Sequence, residues 1–208
     1  MSATQDLTPF LAESDIVNFS QPEVAALAKT LRRASPEATA RACFDWVRDS
    51  IQHCVDFQRE EVTVSAAEVL QIGTGFCYAK SHLLVALCRA NGIPAGFGYQ
   101  RLTFDGPTPP YCLHGFAAVW LEGFGWYRCD ARGNRAATAE RLGIDCQFDP
   151  PRENLAFPIE YPGECTYPNI WPEPLPELIQ QLQAMTRVAE YYANPIDVVP
   201  ADHHSVPA

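Results

Sequence analysis

The sequence predicts a single α+β domain, in which a layer of N-terminal helices and one central helix pack against an antiparallel sheet. Apolar residues recur at three- and four-residue steps through several stretches of the first half, which is typical of helices. Two apolar stretches joined by a glycine-containing turn follow, which is typical of a β-hairpin. The 208 residues are 47% hydrophobic and 19% charged, so a packed core is expected.

The N-terminal layer is expected to contain two amphipathic helices after an extended lead-in over residues 1–19. The segment Ser20–Glu23 has the pattern of a capping box with an early proline, and it predicts a helix that continues to about Arg33. A second helix is predicted to begin at Ser35–Pro36. Its buried stripe comprises Cys43, Phe44, Val47 and Ile51.

The stretch around Cys77 determines how the rest of the chain is interpreted. A second capping box, Ser65–Glu68, predicts a short helix that leads the chain to two closely spaced glycines, Gly73 and Gly75. Leucines and alanines at helical spacing then predict a central helix that begins next to Cys77. Asn91–Gly92 ends this helix, because glycine takes the left-handed backbone conformation there without strain.

Cys77 is therefore expected in or just before the first turn of the central helix. The unpaired backbone N–H groups and the positive end of the helix dipole favour a thiolate over a thiol at this position. The same N–H groups can donate to an oxyanion. One helix end thus offers a nucleophile and part of what stabilises its intermediate. A buried helix-start cysteine without reactivity is the alternative.

After the central helix, the sequence predicts an antiparallel sheet that carries a histidine and an aspartate. A first strand is expected over residues 93–102, and a proline-containing loop over residues 105–110. The two strands that follow carry His114 and Asp130 and are joined by a turn centred on Gly123.

The register of this predicted hairpin decides whether the histidine and the aspartate can meet. In a hairpin centred on Gly123, residues equally distant from that glycine are paired. Because side chains alternate between the two faces of a strand, this register makes His114 and Asp130 diagonal neighbours on one face. A shift of one residue would put them on opposite faces.

The C-terminal part is dense in proline over residues 149–176, which predicts an extended arm packed on the body or a segment that contacts a partner. A final helix is predicted from Leu175 to about Tyr192. The chain is therefore divided into a lead-in (1–19), a core (20–148), an arm with the C-terminal helix (149–195) and a tail (196–208). Metal binding by His203 and His204 is an alternative for the tail.

Four segments together resemble the core of the transglutaminase-like superfamily. They are GTGFC with Cys77, the helix end NGIPAG, LHGFAAVWL with His114, and GWYRCDARGN with Asp130. The resemblance extends to WVRDSIQH and CQFDPPRENLAFP and covers about residues 20–160. It implies a transglutaminase-like, papain-related α+β core with a Cys-His-Asp triad in this chain order.

The resemblance implies thiol chemistry on an acyl group. Cys77 would attack a carbonyl carbon and form a thioester, His114 would take the thiol proton, and Asp130 would fix the imidazole tautomer. Water or an amine would then accept the acyl group. A peptidase or amidase is expected rather than a protein cross-linker, with a peptide, a protein or a small amide as substrate. A non-catalytic binding or scaffold protein with an occluded cleft is the alternative.

Two further residues are candidates for binding roles. Gln71, six residues before Cys77, matches the spacing of the side-chain oxyanion donor in papain-like proteases and would act beside the backbone N–H of Cys77. A solvated glutamine at a helix end is the alternative. Arg132 has even spacing from Asp130, so it could hold a substrate carboxylate bidentately instead of forming a surface salt bridge.

Other titratable residues near Cys77 receive structural interpretations. His82 is expected to pack or to support the site, and Lys80 is expected to be exposed. A zinc site is an alternative, because Cys112 would share the face of His114. Its ligands would be Cys77, Cys112, His114 and Asp130. No recognised ligand spacing and no D-x-D-x-D-G loop is present in the sequence, so neither a metal nor a cofactor is expected.

The bulk properties limit the partners and the location. The net charge of −10 argues against nucleic acid or an anionic membrane as a partner. The N-terminus lacks the pattern of a signal peptide, and no stretch approaches the about 18 apolar residues of a membrane span, so the cytoplasm is expected. The eight cysteines are then expected to be free thiols, with Cys43 and Cys88 as small core residues. The residues leave a homo-oligomer open.

Overall fold

The computed structural model describes residues 6–201 and 205–207, so His203 and His204 lie outside the described residues. The helices are a 3-10 turn (Thr8–Leu11) and α1 (Pro22–Leu31), α2 (Pro36–Ser50), α3 (Ala66–Ile72), α4 (Cys77–Ala90), α5 (Ala136–Leu142), α6 (Pro176–Ala184) and α7 (Ala189–Ala193). The strands are β1 (Gln52–His53), β2 (Thr74–Gly75), β3 (Ala95–Thr103), β4 (Tyr111–Leu121), β5 (Gly125–Cys129), β6 (Phe148–Asp149), β7 (Arg152–Glu153), β8 (Cys165–Thr166), β9 (Asn169–Ile170) and β10 (Val206–Pro207).

The main sheet has four antiparallel strands in the order β5-β4-β3-β8. Strands β3 and β4 are paired over their length, from Ala95 opposite Val119 to Thr103 opposite Tyr111. Helix α4 packs against both of these strands and also against α1, α2 and α3. The predicted α+β arrangement, with a central helix between an N-terminal helical layer and a sheet, is confirmed.

Helix α4 is buried from Cys77 through Arg89, so its polar residues are enclosed together with its leucines and alanines. The enclosed polar groups have backbone partners: the Arg89 guanidinium donates to the carbonyls of Ala12, Ala95 and Pro172. Because neighbours pack around the whole helix, the position of its first residue, Cys77, is fixed by the core rather than by a flexible surface.

The β4–β5 hairpin has the register that the sequence predicts. Ala117 is paired with Cys129 and Trp120 with Trp126, so the residues equally distant from Gly123 face each other. The one-residue shift that would separate the histidine and aspartate side chains does not occur in this hairpin.

The helix starts show which capping predictions were sound. Ser35 caps α2, and Ser65 completes a capping box with Glu68 at α3. The box predicted at Ser20–Glu23 is wrong, because Gln21 is the N-cap residue of α1 and makes no side-chain capping bond. Proline at the first helical position has no N–H to satisfy, so the start of this helix needs one hydrogen-bond acceptor fewer. Helix α5 was not predicted.

The continuous C-terminal helix predicted as far as Tyr192 is wrong, because it is broken into α6 and α7. The chain leaves the helical conformation at Met185, where φ is −77° and ψ is 136°. The N–H of Val188 donates to the carbonyl of Glu60 at 3.0 Å, a tertiary contact that a helical pattern does not reveal. The break allows α7 to turn Tyr191 toward the start of α4.

The proline-dense arm is packed on the body, as one of the two sequence interpretations proposed. Trp171 and Phe97 exchange both backbone hydrogen bonds, at 2.8 and 2.9 Å, which adds the arm to the edge of β3. The side chains of Trp171, Leu175 and Leu178 belong to the same hydrophobic core as α4. The arm therefore shares its core with the helices and the sheet.

Candidate active site

A cleft of about 430 Å³ lies where the N-terminus of α4 meets β4. Cys77 and His114 both line it. Much of the remaining wall is apolar or aromatic and includes Phe76, Leu102, Phe104, Leu113, Phe157 and Tyr191. A concave, mostly apolar site with a few convergent polar groups is the usual form of a ligand-binding site.

Cys77 is the first residue of α4, as the sequence predicts. The N-cap residue is Phe76, whose side chain has no acceptor, so the N–H groups of the first turn have no side-chain cap. A Cβ at Gly75 would lie 2.9 Å from the Cβ of Ala79, so glycine allows the chain to enter the helix this closely. The cysteine side chain reaches the cleft with 8% of the residue exposed.

Strand β4 crosses α4 at its first turn and brings the histidine to the cysteine. A Cβ at Gly115 would lie 2.8 Å from Cδ1 of Tyr78, so the two backbones approach closely there. The Tyr78 hydroxyl donates to the carbonyl of Leu113 and fastens this crossing. The side chain of His114 consequently lies beside Cys77 in the cleft, close enough for the cysteine to raise the pKa of the imidazole.

The other side of the imidazole is held by Asp130. Nε2 of His114 lies 2.7 Å from Oδ2 of Asp130, and both side chains are buried. The same carboxylate accepts the backbone N–H of Arg132 at 3.0 Å and that of Ala156 at 2.9 Å. Because Nε2 faces the carboxylate, Nδ1 is the ring nitrogen that remains for the Cys77 sulfur.

The pKa shifts follow from this pairing. Burial acts to lower the pKa of His114, but the charges of Asp130 and Cys77 and the hydrogen bonds to both raise it to about 10. Burial acts to raise the pKa of Asp130, but His114 and the backbone N–H groups of Ala156 and Arg132 lower it. The geometry therefore favours a charged imidazolium next to an ionised aspartate.

Arg132 has a different partner from the substrate carboxylate that the sequence suggested. Its two terminal nitrogens each donate to one oxygen of Asp56, at 2.8 Å, and both side chains are buried. Asp56 therefore occupies both donors that Arg132 would use to bind a substrate carboxylate, and the predicted substrate-binding role of Arg132 is wrong. The pair joins the loop after β1 to the chain that follows Asp130.

Gln71 does not reach the cleft. It is exposed on the last turn of α3, and it is not among the residues that line the cavity around Cys77. The predicted role of Gln71 as an oxyanion donor is therefore wrong. Strand β2 and Phe76 separate it in the chain from the start of α4, and six residues of separation do not form here the loop that such a donor needs.

Two other residues of α4 were assigned from spacing alone. His82 is buried with Nδ1 2.6 Å from the carbonyl of Val64, and burial lowers its pKa to about 4, so its structural interpretation holds. The exposed position predicted for Lys80 is wrong. Its ammonium is buried and donates to the carbonyls of Arg48 and Ile51. Burial and, secondarily, Arg132 lower its pKa to about 7.

His53 is a cleft residue that sequence reasoning did not assign. It is the last residue of β1 and lines the cavity together with Cys77 and His114. The segment WVRDSIQH, which ends at this histidine, was part of the resemblance, but nothing in it indicates a role. Strands β1 and β2 have two residues each, too few for a periodic pattern, so their pairing could not be predicted.

Among residues 6–201 and 205–207, no three or more His, Cys, Asp and Glu side chains are grouped so that they could hold a metal ion. The alternative zinc site is therefore not assembled by the described side chains. Cys112 lies instead beside the Tyr191 hydroxyl. All eight cysteines are free thiols, and Cys43 and Cys88 are fully buried as predicted. No helix in the described part of the chain is both long enough and apolar enough to cross a bilayer.

Comparison with known proteins identifies a family model that matches residues 25–131, just over half of the chain, described as the transglutaminase-like superfamily. No curated protein matches the chain.

Solved structures with some similarity include a proposed cysteine protease from Cytophaga hutchinsonii, at 23% identity and a TM-score of 0.49, over 63% of this chain and 43% of that one. The periplasmic domain of TgpA from Pseudomonas aeruginosa is 21% identical, with a TM-score of 0.48, over 66% of this chain and 51% of that one. The chain thus spans about half or less of the length of these structures.

Proposed function

Because the chain belongs to the transglutaminase-like superfamily, we propose that it is a cysteine enzyme that transfers or hydrolyses an acyl group from an amide or peptide bond through a thioester on Cys77. The single observation that supports this best is the chain of contacts from Cys77 to His114 to Asp130 in one cleft. It supplies a nucleophile at a helix N-terminus, a base beside it and a carboxylate that orients the base.

The proposed reaction uses each group of the triad in turn. The Cys77 proton is held by His114, whose raised pKa favours the imidazolium. The sulfur attacks the carbonyl carbon, the C=O electron pair moves to oxygen, and the imidazolium then gives its proton to the departing amine as the C–N bond breaks. Water then attacks the thioester as His114 takes one of its protons, and the C–S bond breaks to release the acid and restore the Cys77 thiolate beside the imidazolium. Asp130 keeps the ring oriented and stabilises its charged form throughout.

Hydrolysis is proposed in preference to cross-linking because access to the nucleophile is narrow. Cys77 is 8% exposed, and the Phe157 and Tyr191 rings stand in the wall of its cleft. A water molecule reaches such a thioester more readily than a lysine on a folded protein. A peptide, an extended protein segment or a small amide is the proposed substrate. The eight free thiols support a proposed cytoplasmic location, where cysteines stay reduced.

The same narrow access favours a second candidate, a binding or scaffold protein whose cleft stays closed. The Phe157 ring meets the His114 ring edge-on at a centroid distance of 5.1 Å, so a residue of the arm covers the histidine. Under this candidate the triad would be a remnant of the fold and Cys77 would form no acyl intermediate.

Trapping of an acyl-enzyme distinguishes the two functions. The chain is incubated with a library of short peptide amides and quenched in acid, and intact mass and peptide mapping locate any added acyl group. The enzyme is supported if an acyl group is found on Cys77 of the wild type and is absent from Cys77→Ala. It is supported further if His114→Ala, loaded with an activated ester, accumulates the acyl group because it lacks the base that activates water. A Cys77 that is never acylated, with triad geometry intact, would contradict it and favour the binding protein.

A further inference from the structure

His53 is held next to the nucleophile by backbone pairing. Strand β1 pairs in parallel with β2, and His53 lies opposite Gly75, two residues before Cys77. The next backbone N–H, that of Cys54, donates to the carbonyl of Gly75 at 3.1 Å. The imidazole lines the cleft beside Cys77 and His114, yet the triad does not use it.

The hydrogen bonding of His53 is incomplete. The residue is 6% exposed, and Nδ1 is buried without a hydrogen-bond partner among the described residues. The Oδ1 atom of Asp56 lies 3.7 Å from Nδ1, which is too long for a hydrogen bond, and both oxygens of that carboxylate already accept from Arg132. No hydrogen bond therefore holds a proton on Nδ1, and Nε2, on the opposite side of the ring, is left for the N–H.

Burial, together with nearby positive charges, keeps the His53 ring neutral. Burial lowers its pKa well below the ordinary value, and the nearby cations Arg132, Lys80 and His114 lower it further. A neutral ring with its proton on Nε2 has one donor available to the cleft. The positive charges of Arg132 and His114 also favour negative charge that develops on a bound carbonyl oxygen in this cleft.

We propose that the Nε2–H of His53 is the second donor of the oxyanion hole, beside the backbone N–H of Cys77. This assignment rests on the proposed acyl transfer at Cys77 and replaces Gln71 in the role. When the S–C bond forms, the C=O electron pair moves to oxygen, and His53 donates to that oxygen without losing its proton. When the C–N bond breaks, the pair returns to the carbonyl and the hydrogen bond weakens.

The test compares two reactions of the same sulfur. Acylation of Cys77 by p-nitrophenyl acetate passes through a tetrahedral oxyanion, whereas alkylation by iodoacetamide does not. Both rates are measured for the wild type, His53→Leu, which has no donor, and His53→Gln, whose amide can donate from a similar distance. Gln71→Ala, on the exposed face of α3, is the matched control.

The proposal predicts that His53→Leu acylates about 10² to 10³-fold more slowly while its alkylation rate stays within about threefold of the wild type. His53→Gln is expected to recover most of the acylation rate, and Gln71→Ala to match the wild type in both reactions. Equal losses in acylation and alkylation for His53→Leu would overturn the proposal, because they would indicate a role in holding Cys77. Unchanged acylation in His53→Leu would overturn it as well.

A failure of the underlying function gives a different result. If wild-type Cys77 is alkylated but never acylated by the ester, the proposed acyl transfer fails and the oxyanion role of His53 fails with it. If the wild type is acylated by the ester and His53→Leu is acylated at the same rate, the acyl transfer stands and the His53 assignment alone is lost.

Discussion

At the scale of single residues, Asp130 accepts three hydrogen bonds from different parts of the chain. Its Oδ2 atom accepts from both His114 and the Ala156 N–H, and its Oδ1 atom accepts from the Arg132 N–H. Every one of these partners donates, so a carboxylate with two accepting oxygens is required at this position. The residue therefore orients the imidazole and also ties two loops to the end of β5.

Asp130→Asn is expected to lower the rate of Cys77 acylation by about 10² to 10⁴-fold. The amide nitrogen cannot accept, so it either faces a backbone N–H or turns toward the imidazole and imposes the wrong tautomer. The free energy of unfolding should fall by about 3–5 kcal/mol, because the buried imidazolium of His114 loses the negative charge that it is paired with. Stopped-flow acylation and urea unfolding measure the two effects. Asp15→Asn, an exposed aspartate, is the control, and an Asp130→Asn variant within threefold of its rate would contradict the role.

The buried pair of Arg132 and Asp56 is expected to behave as a unit. Arg132→Met or Asp56→Leu alone leaves an unpaired buried charge and should cost about 3–5 kcal/mol of unfolding free energy. The double variant should cost clearly less than the two single costs together. Urea unfolding of all four proteins measures the coupling. Additive costs would mean that the two side chains do not depend on each other.

Sequence reasoning identified residues that stand in a recognisable local pattern. It missed residues whose partners or burial depend on contacts with distant parts of the chain. Helix spacing and strand parity pointed to Cys77, His114 and Asp130. Nothing local linked Arg132 to Asp56, which is 76 residues away in the chain, so its pairing could not be foreseen. Lys80 looked exposed because a lysine usually is, and only the packing around α4 shows why it is buried.

At the scale of elements, the crossing of β4 over α4 sets the distance between His114, the proposed base, and Cys77, the proposed nucleophile. Gly115→Ala adds a Cβ 2.8 Å from Cδ1 of Tyr78, so the strand must move away from the helix. We expect the alkylation rate of Cys77 near neutral pH to fall about tenfold or more, because His114 is displaced from the sulfur. The free energy of unfolding should fall by about 1–3 kcal/mol.

The control for this substitution is Gly123→Ala in the β4–β5 turn. No atom lies within 4 Å of a Cβ there, and the positive φ of 81° imposes only local backbone strain. This variant should lose about 1–2 kcal/mol of stability and keep the wild-type alkylation rate. If Gly115→Ala lost stability but alkylated as fast as Gly123→Ala, the crossing would not control the position of His114 relative to Cys77.

Elements were predicted well where the signal lies within the element. The capping box at Ser65 and the register about Gly123 were both confirmed, since each depends on residues close in sequence. The break between α6 and α7 was missed because the bond from Val188 to Glu60 replaces a helical one. The two-residue strands β1 and β2 were missed because a pattern of period two needs more positions.

At the scale of the whole molecule, the buried Lys80 makes stability depend on pH. Its folded pKa of about 7 lies below the ordinary lysine pKa of 10.5, so between these values the unfolded chain binds the proton that the folded chain lacks. The contribution of Lys80 is present above the unfolded pKa and is lost as pH falls through the folded one. His114 has the opposite sign, because its raised pKa gives stability below 6.5 that is lost as pH rises through about 10.

A comparison of the wild type with Lys80→Met isolates the lysine. Because other groups are shared, the wild type should gain stability relative to the variant as pH rises from 7 to 10, at on the order of 1 kcal/mol per pH unit. The variant loses two hydrogen bonds to carbonyls, which costs about 1–3 kcal/mol and does not change with pH. Urea unfolding at four pH values measures the difference. Parallel curves would show that Lys80 is charged in the folded state.

The overall architecture was predictable because α4, the helix around which the other elements pack, has a clear apolar periodicity in the sequence. The apolar periodicity, the hairpin and the proline-dense arm each had a local signature, and all three are present. How the arm covers the cleft depends on contacts such as Phe157 against His114, which join distant parts of the chain. Such contacts, rather than the fold, determine what can reach Cys77.

The pH dependence of Cys77 alkylation tests most directly whether the cysteine and histidine act as an activated pair. The rate with iodoacetamide is measured from about pH 5 to 9, resolved by site with mass spectrometry, in the wild type and in His114→Ala. We predict fast wild-type labelling well below the ordinary thiol pKa of about 8.5, and its loss in His114→Ala. Labelling that follows an ordinary thiol in both proteins, or that waits for unfolding, would contradict the proposed enzyme.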